Sequence, residues 1–83
     1  MKSVSLIIPT FNDENIIEKT IFKLTKELQK KKIRFEIIII NDGSKDNTLK
    51  KIKKIKLINK HVKIINNKDN LGKSASIRKA LRL

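Results

Sequence analysis

Apolar residues along the chain alternate between short runs and helical repeats. The first run is "SVSLIIP" at residues 3 to 9, and we expect its proline to end a strand because proline cannot donate a ladder hydrogen bond. The second run, at residues 35 to 40, contains four consecutive isoleucines, which is typical of a parallel strand covered on both faces. "VKIIN" at residues 62 to 66 predicts a third strand.

The segment between the first two strands has the spacing of an amphipathic helix. Apolar residues recur there every three or four positions, which places them on one side of a helix. They are Ile17, Ile21, Leu24 and Leu28. We therefore predict a helix from Asp13 to about Lys31, with Asn12 or Asp13 as its N-cap and lysines at its C-terminal end.

Two further helices complete the pattern. "DGSKDNT" at residues 42 to 48 predicts a turn that leads into a basic amphipathic helix, with Asp46 and Thr48 as cap and turn residues. The apolar residues of that helix are Leu49, Ile52, Ile55 and Ile58. A third helix is predicted around residues 75 to 81. Strand and helix alternate three times, which predicts one α/β domain with a parallel sheet.

The composition narrows the class of protein. The chain has 83 residues and no cysteine, so it forms at most one small domain without disulfides. No apolar run reaches the length of a membrane-spanning helix, and no secretion signal is recognised. We therefore expect a cytoplasmic protein.

The net charge of +13 has three interpretations. They are a solvated lysine coat, attraction to an anionic membrane surface, and nucleic-acid binding. The excess is mostly lysine, with Arg34, Arg78 and Arg82 as the only arginines, and arginine is the residue that binds phosphate bidentately. Three Phe and no Trp or Tyr leave few side chains for base stacking. We therefore expect no specific nucleic-acid partner, and consider peripheral association with the cytoplasmic membrane face as the alternative to a lysine coat.

Polar residues follow each predicted strand, at the edge where parallel α/β sheets bind ligands. These segments are "PTFND" at residues 9 to 13, "NDGSKDNT" at 41 to 48 and "NNKDNLGKS" at 66 to 74. Asp42 follows the isoleucine strand and can accept a hydrogen bond from an N–H donor. Gly43 can adopt a positive φ or let a ligand approach the backbone.

Two other phosphate or nucleotide sites match this pattern less well. A phosphorylation receiver requires paired acids after the first strand, where this chain has Thr10 and Phe11. "NKDNLGKS" at residues 67 to 74 nearly matches a P-loop. However, Asn67 replaces the first glycine, and the strand that ends in Asp42 precedes this loop instead of following it.

Taken in order, the three segments resemble the amino-terminal part of a family 2 glycosyltransferase. The matching stretches are "VSLIIPTFND", "FEIIIINDGSKDNT" and "VKIINNKDNLGKSASIRKAL", which cover nearly the whole chain. Within the family, the chain looks most like enzymes that move a hexose from a nucleotide sugar to a polyprenyl phosphate. The resemblance implies a Rossmann-like GT-A fold, a UDP- or GDP-sugar donor, and Mg²⁺ or Mn²⁺ as a cofactor.

The resemblance also implies site residues. Phe11 would pack near the base and ribose, and Asp42 would accept a hydrogen bond from the ring N–H of uracil or guanine. Gly43 and Ser44 would complete that turn. The other positions that match the family's nucleotide-binding segments are Pro9, Thr10, Asn12, Asp13, Asn70, Gly72 and Lys73. Helix amides together with Lys73 would favour the negative diphosphate.

The chain departs from the family pattern in three ways. The family often has two acids where this chain has Asn41 and Asp42, and Asp13 replaces a common glutamate. The family's Asp-x-Asp metal motif, catalytic base and acceptor site lie beyond the position of Leu83. The resemblance therefore implies that residues 1 to 83 are the nucleotide-binding part of one glycosyltransferase domain, inactive alone.

Each of these residues also has a purely structural interpretation. Pro9 can simply end a strand, Asn12 or Asp13 can cap a helix, and Asp42 with Gly43 is a common exit from a strand. The alternative function is a basic α/β module that binds nucleic acid through the lysines of the second helix, without catalysis. Salt-dependent RNA or DNA binding that survives loss of Asp42 would favour that module.

Overall fold

The computed structural model describes residues 3–67, in which three strands alternate with two helices. The elements are β1 (Ser3–Thr10), α1 (Ile17–Lys30), β2 (Arg34–Asp42), α2 (Thr48–Ile58) and β3 (Val62–Asn67). The three predicted strands and the first two predicted helices are confirmed. The predicted third helix lies outside the described residues, as do Asn70, Gly72 and Lys73.

The strands form a parallel sheet in the order β1-β2-β3, with β2 in the centre. The central position explains the isoleucine run, because both faces of β2 are removed from water. Ile38 is 6% exposed, and Ile37, Ile39 and Ile40 are each 0% exposed. The register pairs Thr10 with Asn41, and Asn41 with Asn66, so the carboxyl ends of the three strands lie side by side.

The two faces of β2 lie in separate apolar clusters. On one face, Ile37 and Ile39 pack against both helices. The other buried members of this cluster are Ile17, Ile21, Ile52, Ile55 and Val62. On the opposite face, Ile38 and Ile40 pack with Ile7 and Ile65. Because side chains alternate along a strand, one run of isoleucine supplies both clusters, and each fully buried isoleucine contributes roughly 1.5–3 kcal/mol.

Helix α1 begins later than the sequence predicts, at Ile17 instead of Asp13. Its N-cap is Ile16, which makes no side-chain cap hydrogen bond, so the prediction of Asn12 or Asp13 as N-cap is wrong. The Asp13 carbonyl accepts the N–H groups of Ile16 and Ile17 at 3.0 and 2.9 Å. The Asp13 carboxylate instead accepts the N–H of Phe11 at 3.3 Å. The side chain that could cap the helix is therefore used within the preceding loop.

The outer side of the helical layer is strongly basic. Residues 17 to 32 and 48 to 60 contain twelve lysines and two glutamates. Both glutamates form exposed ion pairs, Glu27 with Lys30 and Glu18 with Lys51, each at 3.9 Å. Exposed pairs of this kind contribute little to stability. Within residues 3–67, neither helix combines the length and the apolar character needed to cross a bilayer.

Candidate functional site

The carboxyl ends of the three strands form a buried row of polar side chains, here called the carboxyl edge. Its buried members are Thr10, Asn41, Asp42 and Asn67, which are 3%, 2%, 5% and 3% exposed. Asn41 Nδ2 donates to Asn66 Oδ1 at 2.8 Å, and Asn67 Nδ2 donates to Asp42 Oδ1 at 3.3 Å. These bonds join β2 to β3 on both faces of the sheet, because side chains alternate between its faces. Asp42 thus lies where the sequence predicts, at the end of the central strand.

Two buried oxygens of the carboxyl edge are orphaned. Among the described residues, neither Thr10 Oγ1 nor Asn41 Oδ1 has a hydrogen-bond partner. A buried polar atom without a partner costs about 1–3 kcal/mol, and such atoms in native proteins call for an explanation such as a ligand or an ordered water. The two residues are register partners, so both acceptors occupy one part of the edge.

Asn12 joins the loop after β1 to the loop after β2. Its N–H donates to Ser44 Oγ at 3.0 Å, and its Oδ1 accepts the N–H of Lys45 at 2.8 Å. Asn12 has a φ of 52°, in the left-handed region that asparagine tolerates better than most residues. Gly43 has a φ of 72°, which is one of the two uses that the sequence allows for this glycine. The structure therefore brings the first two predicted site segments together.

A second set of hydrogen bonds between these loops centres on Thr48, which is 0% exposed. Thr48 Oγ1 accepts the N–H of Asp13 at 2.9 Å and donates to Asp46 Oδ1. The Asp46 carboxylate also accepts the N–H groups of Thr48 at 2.9 Å and Glu14 at 3.3 Å. The N-cap of α2 is Asn47, which makes no side-chain cap hydrogen bond, so the prediction of a cap at Asp46 or Thr48 is wrong. Asp46 and Thr48 instead form the turn that leads into α2. They also hold the loop after β1 in place.

The electrostatics of the two loops favour an ionised Asp46. Desolvation raises the pKa of its carboxyl, but hydrogen bonds from the hydroxyl and N–H of Thr48 and the N–H of Glu14 outweigh this, so the pKa lies below its usual value of 3.8. Lys51 Nζ donates to the carbonyl of Glu14 at 2.6 Å, which adds a positive charge to the same loop pair. The ionised form therefore stabilises the arrangement of both loops.

The remaining predicted site residues are placed as follows. Strand β1 continues through Pro9 to Thr10, so the expectation that Pro9 ends the strand is wrong by one residue. Proline is tolerated there because, within residues 3–67, β1 pairs only with β2 and the edge side of a strand needs no donor. Phe11 is 44% exposed at the start of the loop. Gly72 and Lys73 lie outside the described residues.

Three residues of this region were not assigned to the site from the sequence. Asn66 and Asn67 hydrogen-bond to the ends of β2, and Thr48 fixes the loop after β1. A signal for the two asparagines was present, because residues that directly follow neighbouring parallel strands lie side by side. No local signal links Thr48 to a residue 35 positions earlier in the chain.

The described residues do not fit a metal site on their own. No group of three or more His, Cys, Asp and Glu side chains within residues 3–67 is arranged to hold a metal ion. The carboxylates of Asp13 and Asp46 already accept hydrogen bonds within the loops. Mg²⁺ is usually bound by one or two carboxylates together with water and substrate phosphates. Single carboxylates that already accept hydrogen bonds within the protein are poorly suited to form such a site.

A family model and individual relatives of this chain indicate the same protein family. The model of the family described as Glycosyl transferase family 2 matches residues 5–83. An uncharacterized glycosyltransferase of Synechocystis sp. is 39% identical over 74 residues, which are 89% of this chain and 23% of that protein. A dolichyl-phosphate beta-glucosyltransferase of Trichomonas vaginalis is 30% identical over 79 residues, which are 89% of this chain and 24% of that protein. The chain thus spans about a quarter of the length of these curated relatives.

Solved structures show the same fold. One neighbour is a mannosyltransferase from Pyrobaculum calidifontis in complex with GDP-Man and Mn²⁺. Its TM-score with this chain is 0.81 at 21% identity, and the matched part is 95% of this chain and 23% of that structure. TarS from S. aureus has a TM-score of 0.76 with this chain at 26% identity, and the matched part is 98% of this chain and 24% of that structure. These likenesses confirm the predicted GT-A arrangement of the α/β sheet.

Proposed function

Because this chain belongs to glycosyltransferase family 2, we propose that its carboxyl edge binds the nucleotide of a nucleotide-diphospho-sugar donor. The observation that carries the proposal is the buried carboxylate of Asp42 at the end of β2, followed by Gly43 at positive φ. In parallel α/β sheets, ligands bind beyond the carboxyl ends of the strands. Under this proposal, residues 1 to 83 form the nucleotide-binding part of one glycosyltransferase domain.

Each residue of the proposed pocket has a chemical role. Asp42 accepts a hydrogen bond from the ring N–H of uracil or guanine, and a carboxylate acceptor makes a stronger hydrogen bond than a neutral one. Phe11, which is 44% exposed, offers an aromatic surface to the base or ribose. The bond from Asn12 to Ser44 holds the Phe11 loop beside the turn that follows Asp42. Gly72 and Lys73 are proposed for the diphosphate.

The proposed reaction is transfer of a hexose to an acceptor oxygen. That oxygen forms a bond to the anomeric carbon while the bond from this carbon to the diphosphate breaks, and the nucleoside diphosphate leaves. The Pyrobaculum mannosyltransferase in complex with GDP-Man supports the donor class. Two Trichomonas relatives named dolichyl-phosphate beta-glucosyltransferases support a polyprenyl phosphate as acceptor. Mg²⁺ or Mn²⁺ would stabilise the departing diphosphate, with ligands outside residues 3–67.

The proposal is tested by replacing Asp42 in the protein at the full length that its gene encodes. We expect Asp42→Ala to weaken nucleotide binding by about 1–3 kcal/mol, the cost of losing a charged hydrogen-bond partner. Isothermal titration with UDP and with GDP measures this change and identifies the base. The matched control is Asn67→Ala, which removes the amide that bonds to Asp42 but keeps the carboxylate. The control should lose less affinity than Asp42→Ala.

Two outcomes would contradict the proposal. Unchanged affinity for both nucleotides in Asp42→Ala would remove this residue from the site. RNA binding that survives Asp42→Ala and falls steeply with salt would instead support the basic nucleic-acid-binding module. Thermal melts of both variants separate loss of binding from loss of folding, because Asp42 is buried.

A further inference from the structure

The helical layer carries a groove that is separate from the carboxyl edge. This helical groove lies between α1 and the last turn of α2, is lined by Phe22, Leu57 and Ile58 among others, and has a volume of about 970 Å³. A hydrogen bond from Asn59 Nδ2 to Thr25 Oγ1 at 2.9 Å joins the two sides of the groove. The last turn of α2 leads into the start of β3, so this part of the groove lies at the opposite end of the sheet from the carboxyl edge.

The helical groove is lined by three exposed apolar side chains and by two buried ones. Phe22, Leu57 and Ile58 are 65%, 86% and 89% exposed. On the same helices, Ile21 and Ile55 are 1% and 9% exposed and form the core. The three groove residues therefore do not contribute to the core. Large apolar side chains exposed together, with polar groups around them, mark surfaces that bind a partner or a membrane.

Lysines surround these apolar side chains. The lysines that line the helical groove are Lys19, Lys26, Lys56 and Lys60. Lys26 Nζ lies 5.3 Å from the centre of the Phe22 ring, so positive charge and apolar surface are in direct contact. The salt bridges of the described residues engage other lysines, and none of these four is paired with an acid. Glu18 also lines the groove, but it is paired with Lys51, so the groove presents a net positive charge that complements an anionic surface.

We propose that the helical groove docks this protein on an anionic membrane surface. Leu57, Ile58 and Phe22 enter the boundary between headgroups and acyl chains, and the four lysines contact lipid phosphates. Apolar insertion and attraction to anionic lipid are the two contributions that hold a surface helix on a bilayer. Lysine stems can lie along apolar surface while their ammonium groups reach the headgroups. The inference goes beyond nucleotide binding and does not depend on it, because the groove contains none of the proposed site residues.

Vesicle sedimentation tests the proposal on the protein at the full length that its gene encodes. Vesicles of phosphatidylcholine alone are compared with vesicles that also contain phosphatidylglycerol, at physiological ionic strength. The protein should bind only the anionic vesicles. The double variant Leu57→Ser, Ile58→Ser should bind them at least about 10-fold more weakly, because two apolar side chains no longer leave water. Replacing Lys26, Lys56 and Lys60 by glutamine should weaken binding on the order of 100-fold, at about fivefold per lysine.

The matched control removes the same charge from two other helix positions and from Lys31, which directly follows α1. Lys23, Lys31 and Lys54 are exposed and do not line the helical groove. Replacing these three by glutamine should weaken vesicle binding less than about fivefold in total, because these lysines do not line the docking surface and attraction to anionic lipid is strongest for charges next to it. All variants should keep their melting temperature and their affinity for UDP or GDP. Failure of nucleotide binding in the unmodified protein would contradict the proposed function and leave this test unaffected.

Four outcomes would overturn the docking proposal. The first is no sedimentation with anionic vesicles, and the second is equal binding to neutral ones. The third is equal loss in the groove variant and the control variant, which would show that the lysine coat as a whole attracts lipid. The fourth is vesicle binding that survives the Leu57 and Ile58 double variant. Self-association of the protein that this double variant abolishes would instead assign the groove to a contact between two copies of the chain.

Discussion

The carboxyl edge and the helical groove both depart from the usual rule that polar side chains are exposed and apolar side chains are buried, but they depart from it in opposite ways. At the carboxyl edge, polar side chains are buried, as in Asp42 at 5% exposure. In the helical groove, three of the five apolar side chains are exposed, as in Leu57 at 86% exposure. Buried polar groups and exposed apolar patches are the two informative departures from the usual distribution of residues. Both departures occur within one sheet and its two helices.

The two regions differ in how their residues contribute to the fold. Residues around the carboxyl edge are hydrogen-bonded to one another across the two loops. The exposed apolar residues of the helical groove, Phe22, Leu57 and Ile58, contribute nothing to the core. Substitutions at the edge should therefore change stability as well as ligand binding, whereas substitutions of the exposed groove residues should leave stability unchanged. Measurements of unfolding can separate the two regions.

The largest effect is expected at Thr48, whose hydroxyl joins the two loops. Thr48→Val keeps the shape of the side chain but removes the acceptor for Asp13 N–H and the donor to Asp46. We expect the free energy of unfolding to fall by about 2–3 kcal/mol, because Thr48 is fully buried and its partners lose their hydrogen bonds. Urea denaturation measures the change. A loss below about 0.5 kcal/mol, the range of neutral surface substitutions, would show that the bonds between the loops do not stabilise the edge.

A smaller effect is expected at Asn12, where two substitutions separate two causes. Asn12→Gly keeps access to the positive φ but loses the acceptor for Lys45 N–H, which should cost about 0.5–1.5 kcal/mol. Asn12→Ala loses the same acceptor and is also strained in the left-handed region, which should add about 1 kcal/mol. Urea denaturation of the pair measures both. Equal stability of the two variants would contradict a left-handed Asn12.

Part of the loss of stability at acid pH should come from protonation of Asp46. Because the pKa of its carboxyl is lower in the folded chain than the usual 3.8, the unfolded chain binds more protons as the pH falls. The stabilisation is therefore complete above the unfolded pKa and is lost as the pH falls through the lower, folded pKa. Asp46→Asn should remove this component from the acid limb of a plot of unfolding free energy against pH. An unchanged acid limb would exclude Asp46 as the group responsible.

The central strand and its two faces were predictable from sequence because they depend on local pattern. Four isoleucines in a row, at residues 37 to 40, require a strand that is buried on both sides, and the structure places them in two clusters. The abrupt change to polar residues predicted the end of that strand to within two residues, because the predicted strand ends at residue 40 and β2 ends at Asp42. These features depend only on the period of a strand and the position of the polar residues that follow it.

The bonds between the loops were not predictable, because they join residues that are distant in sequence. Asn12 and Ser44 are 32 positions apart, and no local pattern pairs them. The start of α1 was not predicted correctly for a related reason. More than one N–H group lies near the Asp13 carboxylate in sequence, and the carboxylate accepts the N–H of Phe11 instead of capping the helix. The exposure of Ile58 was also not predicted, because its spacing places it with Ile52 and Ile55 in the helical repeat, whereas it is 89% exposed.

The smallest effect is expected at Leu57, and it gives the sharpest contrast with the carboxyl edge. Leu57→Ala should change the free energy of unfolding by no more than about 0.5 kcal/mol, since this side chain is already in water and alanine favours helix. The matched control is Ile55→Ala, two positions earlier in α2, where the side chain is 9% exposed and packs in the core. That control should cost about 2–4 kcal/mol, because it leaves a cavity. Urea denaturation of both variants measures the difference. A loss at Leu57 as large as that at Ile55 would mean that Leu57 is buried in the folded protein in solution, and the helical groove would then be an interior surface with no access to a membrane.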